Sequence, residues 1–498
     1  MGLTGIIFIL YLVFLITVGI WTFKLNKTQE DYLLAGRRLG PLVTAFSERA
    51  SGESAWLLLA LPGAAIAVGL GEAWTVLGII LGIIVSWTLI AQKLREQTEK
   101  YNSLTIPDFL HKRFNDSSNI IRIFSSIVIA FFSLFYVSAQ FHASGKVLNS
   151  LFGISPINGI VIGALVIILY TLMGGFLAVA WTDLLQGILM IGTLVILPLA
   201  GFIELQKSDI SFYTSLKSAE SILENYNSSL FRGRSGINAL IITIGGLSWG
   251  LGYLGQPHLL IRYMAIRNSE EVSIARKVAI LWAIPGVTGA FFIGLLSLEY
   301  FGINYFYKVL ENGDLIMVTD IEQAMPLLAT KILPPILAGL FISGAVAAMM
   351  STADSQLLVS ASAITEDILH QFFGIKISDK KLVNLNRFAI VILGLIAFGI
   401  SIFSEIQGKK IFGVVSYAWS GLGSAFGPVL VMTLWWNKTT RVGVISGLVV
   451  GFFTTIIWAN IPGLKELITE RMTSFVFAFI AVYIVSLLTL EVKNNEDK

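Results

Sequence analysis

Residues 47–63 read Ser47-Glu48-Arg49-Ala50-Ser51-Gly52-Glu53-Ser54-Ala55-Trp56-Leu57-Leu58-Leu59-Ala60-Leu61-Pro62-Gly63. Apolar sequence flanks the stretch on both sides, yet it holds three charges, three serines and two glycines. Charge inside a hydrophobic span is costly and is kept for a pathway or a site. Glycine and serine at that depth point to a broken helix whose backbone faces a cavity instead of lipid.

The rest of the chain supplies the membrane context. Of 498 residues 55% are hydrophobic and only 13% charged, about half the charge of a soluble domain. A large soluble α/β protein would lack polar surface at this composition. The apolar sequence falls into runs near the length needed to cross about 30 Å of hydrocarbon. There is no cysteine, which excludes disulfides and thiolate metal sites. The small net charge and lack of a basic domain argue against nucleic acid. The first run follows Met1 without a basic leader, and reads as a span, not a cleaved signal.

Thirteen spans are expected in an all-α polytopic protein with broken helices. A peripheral first helix covers 3–23, and a first repeat 41–201, whose sixth span starts at Asp183. A second repeat covers 237–435, two peripheral helices 442–490, and a charged tail, expected to be disordered, 491–498. An odd count with the N-terminus outside puts 22 Lys and Arg residues inside, Arg262 among them, and 11 outside. That is the asymmetry of a cytoplasmic C-terminus.

Three further polar constellations lie in the spans. Residues 248–258, Ser248-Trp249-Gly250-Leu251-Gly252-Tyr253-Leu254-Gly255-Gln256-Pro257-His258, carry three glycines and a proline, poor signals for a continuous helix. Trp249 and Tyr253 are spaced to wall a small pocket; tight helix packing is the simpler alternative. Residues 351–356 present the neutral oxygens of Ser351 and Thr352 beside Asp354; single serines in such helices usually bond back to a carbonyl. Asp183 is expected to cap a helix N-terminus, with an ion route as the alternative. Arg49 and Glu53 stand one helical turn apart and can pair, as a structural ion pair or as a gate. Two interruptions five spans apart predict a five-plus-five inverted repeat. A clustered metal site or nucleophile–base pair is not visible, which argues against an enzyme. A solute sensor would need a large cytoplasmic domain. A channel would show flux that substrate does not saturate.

At these residues the chain resembles the sodium:solute symporter family, in particular its bacterial sodium/proline branch. The resemblance rests on residues 56–64, 174–183, 249–258, 350–359, 362–367 and 415–419. It implies a thirteen-helix inner-membrane protein that takes up a small organic solute, proline or a related amino acid, with Na⁺ by alternating access. It implies sodium ligands in the carbonyls of Ala50, Glu53 and Ala348 and the hydroxyls of Ser351 and Thr352. It implies a substrate pocket at Trp249 and Tyr253, with Gln256 in the same motif and Ser54 and Trp56 nearby. Asp183 matches a family acid on the sodium route. No obligate protein partner is implied. One departure stands out. The branch reads Ser-Asp-Met-Ser-Gly where this chain has Ser51-Gly52-Glu53-Ser54-Ala55. The carboxylate is displaced by one residue, about 100° around a helix, and Arg49 stands one turn earlier. A different amino acid or a small carboxylate, with Arg49 as its anion partner, is the second substrate reading.

Overall fold

Hydrocarbon offers the backbone no hydrogen-bonding partner, so apolar runs of this length fold as helices. The computed structural model describes residues 2–22, 29–211, 213–223, 228–312, 314–375 and 378–496. Phe23, Lys24, Lys27, Asn225–Asn227, Lys376 and the tail residues 497–498 lie outside them.

The helices are α1 (Leu3–Thr22), α2 (Pro41–Gly52), α3 (Leu61–Val68), α4 (Ala73–Val85), α5 (Ile120–Phe152), α6 (Pro156–Met173), α7 (Phe176–Lys207) and α8 (Gly236–Leu247). They continue with α9 (Pro257–Ala265), α10 (Val272–Phe301), α11 (Pro335–Ser362), α12 (Asp379–Ile406), α13 (Ile411–Trp435), α14 (Arg441–Asn460) and α15 (Glu470–Glu496). Among the described residues, 11 segments are long and apolar enough to cross a membrane. One of them, Trp56–Lys100, joins α3 to α4 and beyond, and α1 contributes a shorter apolar stretch, Leu3–Leu15. A two-stranded hairpin, Tyr307–Val309 with Leu315–Met317, is the described sheet.

Several boundaries differ from the sequence reading. Helix α7 begins at Phe176, not at Asp183, because Gly174 and Gly175 are extended and end α6. Helix α15 continues through Glu496, so the expected disordered tail is helical up to there. Arg262 is fully buried and is no marker of an aqueous side.

Both interruptions are present. Helix α2 ends at Gly52, Glu53 leaves helical geometry, and a wide turn at Trp56–Ala60 leads into α3. That turn precedes Pro62, whose ring cannot sit against an ordinary i−4 carbonyl. The second break is a tight 3₁₀ stretch, Ser248–Leu254, followed by extended Gln256 before Pro257 opens α9. Tight packing and unwinding coexist there. A Cβ on Gly252 would overlap the Trp419 indole, and one on Gly255 would fall 2.7 Å from the Gly423 carbonyl. Glycine lets α13 close over the break.

Helix α11 packs on α1, α2, α5 and α7 and is buried over most of its length. The two breaks are tied at one end of the bundle by main chain. Leu39 N–H donates to Ala265 O (3.2 Å) and Arg267 N–H to Leu39 O (2.9 Å). Arg37 donates to Met264 O (3.0 Å) and Ser103 O (2.7 Å). At the other end Lys146 pairs with Glu322 (2.5 Å) and Asp320 (2.6 Å). Glu322 also accepts the N–H groups of Ile411 and Phe412 (both 3.1 Å), capping α13.

Gly82 of α4 meets the Gly250 main chain so closely that a Cβ has no room. Overpacking of this kind costs about 1–3 kcal/mol. Gly82→Val should lower the thermal midpoint of the detergent-purified protein, whereas Gly399→Val, at a glycine with open space around it, should not. Equal midpoints would contradict this packing.

Candidate ion and solute site

The first break frees backbone oxygens. Ala55 N–H turns to Gln140 Oε1 (3.1 Å), and the Trp56 indole donates to Gly52 O (3.2 Å). The Ser351 hydroxyl donates to Ala50 O (2.9 Å) and that of Thr352 to Ser51 O (2.9 Å). Ser351 Oγ is also 3.1 Å from Ala348 O. Carbonyl and hydroxyl oxygens of α2 and α11 thus converge, and the Ser51 carbonyl faces Thr352. Ser351 does more than bond back within its own helix, as Ser355 does to Ser351 O (2.7 Å).

Charge surrounds this meeting point. Arg49 is held between Glu48 (Nε–Oε2, 2.6 Å) and Glu53 (Nη1–Oε1, 2.7 Å). The one-turn pairing survives because α2 runs to Gly52 and Glu53 N–H still bonds Arg49 O (3.0 Å). Trp87 donates to Glu48 (3.0 Å) and Tyr253 to Glu53 (3.0 Å). Beside this group Arg262 donates to Asp183 Oδ2 (2.8 Å), which also accepts from Ser47 (2.6 Å) and Ser51 (3.2 Å). Asp183 therefore lies two turns inside α7, in an ion pair, and does not cap the helix. Asp354 Oδ1 accepts from Ser355 (3.2 Å).

Glu48, Arg49, Glu53, Asp183, Arg262 and Asp354 are all fully buried. Four carboxylates face two guanidinium groups. Glu53 Oε2, Asp183 Oδ1 and Asp354 Oδ2 are buried without a hydrogen-bond partner. The constellation therefore keeps three carboxyl oxygens in reserve at the break. Among the described residues no group of three or more His, Cys, Asp or Glu could hold a metal ion. The oxygen donors at the break are those that unwound transporter helices offer to Na⁺.

The second break supplies an aromatic wall. The Trp56 and Trp249 rings lie 5.0 Å apart, Trp249 and Phe412 4.9 Å, and Tyr253 and Trp419 4.7 Å. Ser54 Oγ is 3.4 Å from the Tyr136 hydroxyl. Gln256 donates to Gly252 O (3.2 Å) and Trp419 O (2.9 Å), leaving its own carbonyl oxygen unpartnered. Ser54, Trp56, Trp249 and Tyr253 are thereby brought together, with Gln256 beneath Trp419. Sequence reasoning missed Tyr136, Gln140, Trp419 and Arg262. Only Trp419 lay in a recognised motif; Tyr136 and Gln140 sit in the long α5, and Arg262 in the short α9.

Removing one partner of a buried ion pair costs about 3–5 kcal/mol. Arg49→Met should lower the thermal midpoint sharply, and adding Glu53→Gln should restore part of the loss. A midpoint equal to wild type in Arg49→Met would show that the pair carries no such energy.

A model of the "Sodium:solute symporter family" matches residues 32–451. The high-affinity proline transporter PutP of Bacillus subtilis is 38% identical over 476 residues, covering 95% of this chain and 96% of the relative. The sodium/proline symporter of Escherichia coli K12 is 37% identical over 485 residues, covering 97% and 92%. Among solved structures, a substrate-bound, outward-open Na⁺-coupled sialic acid symporter superposes with a TM-score of 0.79 at 19% identity, over 99% of this chain and 98% of that one. A closed nucleobase-cation-symport-1 transporter gives 0.55 at 14% identity, over 94% and 95%. These share the fold of two inverted five-helix units. With the family model spanning most of the chain and both relatives nearly all of it, the chain belongs to the sodium:solute symporter family, as a multi-pass bacterial membrane protein that couples Na⁺ to the transport of a small organic solute.

Proposed function

We propose that the solute is proline or a closely related amino acid, and that Na⁺ binds where the break in α2 faces α11. The observation that carries the sodium assignment is the pair of 2.9 Å contacts from Ser351 and Thr352 to the Ala50 and Ser51 carbonyls. The residues gathered there include the expected Ala50, Ala348, Ser351 and Thr352, and Glu53 borders them. The amino-acid assignment is supported by what the relatives from B. subtilis and E. coli are named for.

Na⁺ enters as a co-substrate. Its ligands come from two elements, so its binding draws α2 onto α11 and fixes Ser54 and Trp56 opposite Trp249 and Tyr253. Solute then meets an ordered chamber, which makes its affinity depend on Na⁺. Release requires the Leu39–Ala265 and Arg267–Leu39 bonds to part at one end, while the Lys146–Glu322 pair stays closed at the other. Asp183 and Asp354, with their free oxygens, border the exit of the ion. The basic asymmetry supports an N-terminus outside and a C-terminus in the cytoplasm, a reading that makes the Leu39 end the inner gate. The displaced carboxylate fits this scheme. A side chain on Gly52 would meet Leu259 and Arg49 at ordinary contact distance, and Glu53 neutralises the same arginine from one residue further on. Arg49, with three nitrogens committed to glutamates, has little left for a substrate carboxylate, which favours an amino acid over a simple carboxylate.

In proteoliposomes, a panel of radiolabelled amino acids should show proline uptake that requires an inward Na⁺ gradient; a panel with no Na⁺-dependent uptake would overturn the substrate assignment. Ser351→Ala with Thr352→Ala should raise the Na⁺ concentration for half-maximal uptake tenfold or more, and an unchanged requirement would remove these hydroxyls from the site. Glu53→Gln should shift the apparent affinity for Na⁺ or proline, since Glu53 holds Tyr253. Wild-type kinetics would leave it a purely structural partner of Arg49.

A further inference from the structure

A polar cavity lies where Arg471 and Phe412, two of its lining residues, pack on the Trp249 ring. Its volume is about 210 Å³, and its lining includes Glu72, Arg232, Ile242, Phe412 and Arg471. The elements that build it are remote in sequence: the turn between α3 and α4, the segment before α8, α8 itself, and the first residues of α13 and α15. All lie at the end of the bundle opposite the Leu39–Ala265 tie.

Three charged groups line it, Arg471, Glu72 and Arg232, each only partly committed, and the Nε of Arg232 is also buried without a partner. Arg471 sits over the Trp249 ring, its guanidinium carbon 4.8 Å from the centroid. It also donates to Gly245 O (3.3 Å) and to the Ser416 hydroxyl. Its Nε is buried without a hydrogen-bond partner. Glu72 is buried; its Oε2 is 3.4 Å from Arg232, and its Oε1 is buried without a partner. One cavity thus offers an unused guanidinium N–H and an unused carboxylate oxygen, each desolvated. An unsatisfied buried polar atom keeps its full desolvation penalty, larger when it is charged. A ligand bearing both a carboxylate and an ammonium would satisfy both at once. Phe412 lines the same space, and the close approach of Arg232 to Gly71, where a Cβ would lie 2.6 Å from its Nε, fixes the rim.

We propose that this cavity is an outer binding station for a zwitterionic amino acid, with its carboxylate on Arg471 and its ammonium, secondary in proline, on Glu72. Trp249 is the partition between this station and the chamber at Trp56 and Tyr253. The station fills before Na⁺ orders the inner chamber, and it raises the local concentration of solute at the Trp249 partition. The geometry also explains why α13 is tethered so firmly here. Phe412 N–H is capped by Glu322 (3.1 Å), and Ser416 accepts from Arg471 while donating to Glu470 (2.9 Å). An occupied station would pull on the same helix that closes over the second break.

This inference rests on the amino-acid reading of the substrate, and the test separates the two. In proteoliposomes, Arg471→Gln and Glu72→Gln should each raise the KM for proline tenfold or more, with the maximal rate and the half-saturating Na⁺ concentration near wild type. Arg471→Lys should recover part of the KM. Wild-type protein without Na⁺-dependent uptake of any amino acid overturns both readings. Wild-type uptake of proline with unchanged KM in both glutamine variants overturns this one alone. A second measurement does not depend on transport. The chain has no cysteine, so Ile242→Cys places a single thiol on the cavity. Proline in Na⁺-free buffer should slow its alkylation several-fold in detergent-purified protein, and Arg471→Gln in that background should abolish the protection. Equal alkylation rates with and without proline would contradict the station.

Discussion

Six charged side chains buried in the middle of a membrane bundle are the constraint on which this molecule turns. Each must find counter-charge or hydrogen bonds within reach, since lipid supplies neither. The chain meets that demand by interleaving. Arg49 is clasped by two glutamates, and Glu48 and Glu53 take further hydrogen bonds from Trp87 and Tyr253. Arg262 serves Asp183, Ser47, Ser51 and Ser355 at once. Helices α2, α7, α9 and α11 are therefore bound to one another by polar contacts at the level where α2 is broken. One carboxyl oxygen each of Glu53, Asp183 and Asp354 is left without a partner.

The same arrangement links ion to solute. Glu53 touches Arg49 on one side and the Tyr253 hydroxyl on the other, and Tyr253 packs on Trp419. A shift of the α2 break toward α11 is therefore felt at the aromatic chamber through a continuous chain of contacts. Glycines at the second break let α13 lie directly on that chamber. Closure at one end by main-chain hydrogen bonds and at the other by the Lys146 pair gives two separate ties that alternate access can break in turn. The Leu39 tie uses backbone and arginine; the tie at the other end uses a lysine, two acids and a helix N-terminus.

The all-helical membrane fold and the two interruptions were legible because each leaves a local mark: apolar length, glycine density, serine beside charge. The pairing of Ser351 and Thr352 with the α2 carbonyls was legible from chemistry, since a hard cation needs oxygens from more than one segment. Asp183 was misread because two extended glycines start α7 earlier than hydropathy alone indicates. Arg262 was counted as a topological marker since nothing local distinguishes a buried arginine from one at a helix end. Tyr136 and Gln140 were invisible for the same reason. They are single polar residues in a long helix, and only tertiary packing brings them to Ser54 and Ala55. The helical run past Leu490 is a case where charged residues extend a helix that hydropathy had ended.

The central claim is that Na⁺ at the α2–α11 junction and solute at the aromatic chamber share one coupling free energy. Reciprocal equilibrium binding tests it most directly: the Kd of proline measured with and without saturating Na⁺, and the Kd of Na⁺ with and without saturating proline, on purified protein. Linkage requires the two affinities to shift by the same factor, and the account predicts a factor of at least ten in wild type. A proline Kd that is indifferent to Na⁺ would contradict it.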